Sequence, residues 1–137
     1  GAVLAAAAMQ ELPLGMPKDS KEHPTELGES YALTVLLTAG KHYYYEGSWN
    51  NAFRETSIRE TSLTGLRDII TRKQKILDDT LRYREGRKGL MLLIKASPNA
   101  SYTSVVDLLD EAVISAVEKY ALITISEEEK NWLRQRE

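Results

Sequence analysis

The spacing of hydrophobic positions along the chain changes period more than once. Residues 31–37 (YALTVLL) are a nearly unbroken apolar and β-branched run, and after the Ala39-Gly40 turn residues 41–46 carry three consecutive tyrosines. Two such segments flanking a short turn predict a β-hairpin. From Leu63 the period lengthens: Leu63, Leu66, Ile69, Ile70, Lys73, Ile76, Leu77 and Leu81 recur at three-and-four spacing. That stripe predicts a helix of about five turns with Ser62 as its cap. Residues 90–94 (LMLLI) are continuously apolar between turn signals, as expected of a strand buried on both faces. Ser101 is placed to cap a second helix whose inner face carries Tyr102, Val105, Val106, Leu109, Ala112, Val113, Ala116 and Val117. Residues 120–125 predict a last strand. Ser126, with Glu129 three places on, forms a capping box opening a short helix that contains Trp132 and Leu133.

The remaining segments are less regular. In residues 10–17, Leu12, Leu14 and Met16 alternate around Pro13 and Pro17, which suits an edge strand or extended arm because proline cannot donate to a sheet ladder. Residues 18–29 are polar and contain Pro24 and Gly28, the composition of a loop or linker. Residues 47–61 read as a long exposed loop with a short strand near residues 57–58. The order of elements predicts an α/β (α+β) two-layer sandwich spanning residues 30–137. Its mixed sheet has about four to five strands, with two crossover helices on one face, plus an N-terminal extended arm and a short C-terminal helix.

Composition narrows the chemistry. At 137 residues, 42% hydrophobic and 28% charged, the chain has the make-up of one packed domain. Its 18 Lys and Arg against 20 Asp and Glu leave a formal charge of -2, with no global field to attract nucleic acid. Cysteine is absent, which excludes thiolate zinc sites and cysteine nucleophiles, and the histidines are His23 and His42, which disfavours a histidine-rich metal centre. No glycine-rich phosphate loop or nucleophile elbow follows a predicted strand, and nothing calls for a cofactor.

Two clusters remain. Asp107, Asp110 and Glu111 fall on one side of the second helix, where paired carboxylates could bind a cation or move a proton; a solvated helix face is the commoner reason for such clustering. Residues 67–88 hold eight basic and four acidic side chains, a basic edge suited to an acidic partner or simply to wetting a helix surface.

Residues 90–112 (LMLLIKASPNASYTSVVDLLDEA) place a strand, a short polar turn, a tyrosine opening the next helix and an acid within it. This run, with Tyr102 and Asp110 in the last two places, resembles the periplasmic domain of the ExbD/TolR family of biopolymer transport proteins. The upstream hairpin of residues 31–47 resembles that of a subgroup with a long insertion before the first helix. Serine at position 97, where the family often has an acid, and Glu118-Lys119, where it often has glycine, depart from the pattern. The resemblance covers roughly residues 9–126. It implies a non-enzymatic, single-pass inner-membrane protein whose periplasmic domain docks with ExbB-like and TonB-like proteins and forms a homodimer. The residues implied in partner or self-association are Leu12, Leu14, Met16, Tyr102 and Asp110.

On this view residues 1–9, whose apolar run from Ala2 to Met9 is far short of the about 20 residues a bilayer span needs, are the stump of a transmembrane helix or an added tail. The family's proton-coupling transmembrane aspartate then has no counterpart here. Two alternatives stand beside the transport role. One is a TolR-like envelope-integrity protein binding peptidoglycan through residues 67–88. The other is a small ligand-binding domain or enzyme using Asp107 and Asp110.

Overall fold

A computed structural model describes residues 26–136; the expected arm, with Leu12, Leu14 and Met16, lies outside the described residues. Helix α1 (Glu26–Tyr31) runs directly into β1 (Ala32–Leu37), which turns back as β2 (His42–Glu46). Then come α2 (Trp49–Arg54), β3 (Arg59–Thr61), α3 (Leu63–Leu77), a 3-10 turn (Gly86–Gly89), β4 (Met91–Ala96), α4 (Tyr102–Ile114), β5 (Lys119–Leu122) and α5 (Glu127–Arg134). The strands form one sheet in the order β3-β2-β1-β4-β5. Its β3–β2 and β2–β1 pairs are antiparallel, while β1–β4 and β4–β5 are parallel. The fold is thus the expected α+β arrangement with a mixed sheet. No helix among the described residues is long and apolar enough to cross a membrane.

Both long helices pack on one face. Leu33, Val35 and Leu37 of β1, with Leu92 and Ile94 of β4, meet Leu66 and Ile70 of α3 and Val105, Leu108 and Ala112 of α4. The opposite face carries a thinner layer, in which Leu36, Tyr43 and Tyr45 meet Ala52 of α2 and Leu133 of α5. Strand alternation explains the split, since successive side chains point to opposite faces. It also places two of the three consecutive tyrosine rings in the core: Tyr43 and Tyr45 are buried, whereas Tyr44 faces the long helices. Each fully buried leucine here contributes about 1.5–3 kcal/mol relative to exposure.

Several expectations are corrected. The strand buried on both faces is β1, buried at every position; β4 alternates, with Leu92 and Ile94 buried and Met91 and Leu93 half-buried. Central β1 is covered by both layers, whereas the thin layer covers the second face of β4 incompletely. The end of the expected linker is helical, and Tyr31 ends α1 instead of opening β1. Its buried ring packs edge-on against Tyr83, and its hydroxyl accepts the Glu85 N–H at 3.1 Å.

The expected loop of residues 47–61 contains α2, capped by Ser48, and its short strand is residues 59–61. Helix α3 stops at Leu77 rather than Leu81. Asp78 caps its end and is gripped by both Nε and Nη2 of Arg87, at 2.8 and 2.6 Å; Leu81 is left fully exposed and Ile76 half-exposed. Gly89 must be glycine, since a Cβ there would sit 2.7 Å from the Tyr31 ring.

Helix α4 is rolled about its axis relative to the expected face. Val105, Leu108, Glu111 and Ala112 are buried, while Tyr102 and Val113 are 50% and 66% exposed. Helix α3 sets this rotation. Arg67 donates to both oxygens of Glu111, and Gln74 Nε2 donates to the Ser115 carbonyl at 2.8 Å. Ala116 is not helical; it lies beyond the end of α4 in the left-handed region, with φ 56°. The last strand is shorter than expected, ending at Leu122, and Ile125 belongs to the thin layer.

Candidate docking surface

Tyr102 is the first helical residue of α4, positioned by the Ser101 cap, whose hydroxyl accepts the Ser104 N–H at 3.0 Å. Asp110 lies two turns further on and is exposed. The neighbouring acids do not converge with it. At 100° per residue, Asp107, Asp110 and Glu111 fan over about 100° of the helix surface. Glu111 is committed to Arg67 at 2.7 Å, and that guanidinium holds its carboxyl below the usual range. Half-buried Asp107 acts instead on His42: burial lowers the basicity of the imidazole, and the Asp107 carboxylate partly opposes this. Among the described residues no three His, Asp or Glu side chains are grouped to hold a metal ion.

The roll of α4 leaves an apolar stripe unburied. Tyr102, Val106, Leu109 and Val113 fall within about 60° of arc by helical period. Val106 and Leu109 are half-buried. Glu111, which faces α3, lies about 170° around the helix from this stripe. The stripe therefore faces away from α3 and towards the β5 side of the sheet, where β5 is an edge strand.

The Ile123 N–H donates inward to the Ile94 carbonyl at 2.8 Å. Because backbone groups alternate along a strand, those of Tyr120 and Leu122 point outward, away from β4. By register Tyr120 and Leu122 share a face with Leu92 and Ile94, the face that α4 covers. Among the described residues, a sheet edge with outward backbone groups and an uncharged helix stripe thus adjoin.

The opposite face holds a buried polar group that the periodicity did not reveal. Tyr45 donates its hydroxyl hydrogen to Glu129 Oε2 at 2.6 Å, and Lys95 Nζ lies 2.9 Å from the same oxygen. The Ser126 N–H donates to Glu129 Oε1 at 2.9 Å, closing the expected capping box. Glu129 is fully buried. Burial pushes its carboxyl up, but Lys95, the Tyr45 hydroxyl and the Ser126 amide outweigh that and hold it below the usual range. Burial, with the adjacent Glu129 charge, pushes the Tyr45 phenol far above its usual value. The trio joins α5 to the sheet. Its one legible trace is Glu129 in the capping box, since Lys95 lies just past the apolar run that predicts a strand.

No family model matches this chain, and no curated protein or solved structure is significantly similar to it.

Proposed function

We propose that this chain is the periplasmic docking domain of an ExbD-like subunit in a proton-motive-force-driven, TonB-ExbB-ExbD-type complex that powers outer-membrane transport. It works by protein contact rather than by catalysis. The observation that carries this reading is the pairing of the Tyr102-Val106-Leu109-Val113 stripe with the β5 edge, the last strand of the sheet among the described residues. Edge addition supplies main-chain hydrogen bonds, and the adjoining side chains supply specificity. The strand–turn–helix of residues 90–112 supports it too, with Tyr102 opening the helix and Asp110 exposed beside the stripe.

Two features weigh against the alternatives. The acids of α4 diverge, which disfavours an enzyme built on Asp107 and Asp110. Arg67, Lys73 and Arg87 are paired with Glu111, Glu46 and Asp78, which reduces the free charge of the segment proposed for peptidoglycan. The test is co-purification of the native protein with an ExbB-like membrane protein, with and without Val106→Asp and Val113→Asp. The expected result is recovery of the complex by the wild type and its loss in the double variant, whose isolated domain stays folded. A native protein that associates with no membrane partner, or a double variant that assembles normally, contradicts the reading.

A further inference from the structure

On the face opposite the α4 stripe, α2, the β2–β3 edge and α5 enclose an open groove of about 560 Å³, within the size range of ligand sites. Its floor is Tyr43 and Trp132, edge to face with ring centroids 5.1 Å apart. Its wall is Phe53, which is 57% exposed although stacked on Trp49 at 5.7 Å. A half-exposed aromatic ring beside two others is apolar surface that the fold itself leaves uncovered.

Lys41 and Arg136 stand on the rim. Arg136 is held flat, its guanidinium carbon 3.6 Å over the Trp132 ring and Nη1 donating to the Trp132 carbonyl at 2.9 Å. Neither cation is ion-paired with a carboxylate among the described residues, and Glu60 is the acid that shares the lining. The groove runs beside β3, with Ile58 and Glu60 in its lining, and β3 is the outermost strand at that side among the described residues.

We propose that this groove binds an extended peptide that pairs with the β3 edge, inserts an aromatic side chain between Phe53 and Trp132, and offers a carboxylate to Arg136 and Lys41. Two rim cations without a carboxylate partner among the described residues, against the single acid Glu60, fit an acidic peptide. A planar guanidinium fixed against an indole is preset for bidentate carboxylate binding. Arg136 already covers one face of Trp132, so that face is closed to a stacked sugar ring. On a strand, residues two apart share a face, so the aromatic and acidic residues of the ligand are two apart. The inference concerns a different surface from the α4 stripe and does not rest on the family reading.

Trp49 and Trp132 are the two tryptophans of the chain and both belong to this cluster, so intrinsic emission reports occupancy. The experiment titrates the folded protein with acetyl-Thr-Val-Phe-Thr-Glu-Val-amide, with its Glu→Gln counterpart, and with a muramyl disaccharide. Saturable change with the first peptide is expected, weakened about tenfold by the Gln counterpart or by Arg136→Gln, and by Phe53→Ala. Both substituted residues are exposed, and an unchanged thermal midpoint verifies the fold. The proposal is overturned if emission is unmoved at about 1 mM peptide, if the Gln peptide or the variants bind equally well, or if the disaccharide alone produces the change.

Discussion

Ala116 and Thr56 are both in the left-handed region, at φ 56° and 51°, each just beyond a helix end. The Val117 N–H reaches the Ala112 carbonyl and the Ala116 N–H that of Val113; Ser57 and Thr56 do the same to Ala52 and Phe53. Both are Schellman endings, a position usually given to glycine. Ala116→Gly should therefore raise stability by about 0.5–1 kcal/mol in urea unfolding, the relieved left-handed cost exceeding the entropy glycine adds to the unfolded chain. With alanine there, the sequence carried no stop signal, and the helical stripe read on through residue 117.

The buried trio gives a second expectation at this scale. Lys95→Met leaves Glu129 charged and without its cation, at a cost of about 3–5 kcal/mol. The double variant Lys95→Met/Glu129→Leu should recover much of that loss, as read by chemical denaturation.

Acidification probes the same group. Glu129 has a folded-state pKa below its unfolded value, so its contribution is complete above the unfolded value of about 4.3 and fades as pH falls through the lower folded one. Trp132 lies on α5 and its emission should shift in that acid range. In Glu129→Gln this pH dependence should disappear.

At the scale of elements, the position of each long helix was legible, but its rotation was not. Period gave α3 and α4 because each runs several turns. Helix α2 was missed because six residues hold too little period to stand out, although Ser48 caps it and Ala52 anchors it. In α4 the apolar positions cover more than half the circumference, so period alone could not choose between the Leu108 side and the Val113 side. The Arg67–Glu111 and Gln74–Ser115 contacts, 44 and 41 residues apart in sequence, made that choice. The rotation is testable by substitution. Leu108→Ala should cost about 2–5 kcal/mol, while Val113→Ser should change stability by no more than about 0.5 kcal/mol. Equal costs would show that the stripe is part of the core.

For the molecule as a whole, the mixed sheet and the placement of both crossovers follow from the order of apolar runs and turns. The candidate surface is only half legible: the sequence pattern points to Tyr102 and Asp110, but its period places the stripe from Tyr102 to Val113 in the core. Its exposure, beside the last described strand of the sheet, is the feature on which the proposed docking role rests. Hydrogen exchange of the native protein, free and mixed with the proposed ExbB-like partner, tests this most directly. Assembly should protect the outward amides of Tyr120 and Leu122 together with the surface of α4 around Val106 and Val113. Unchanged exchange there, with new protection confined to other elements, would contradict the account.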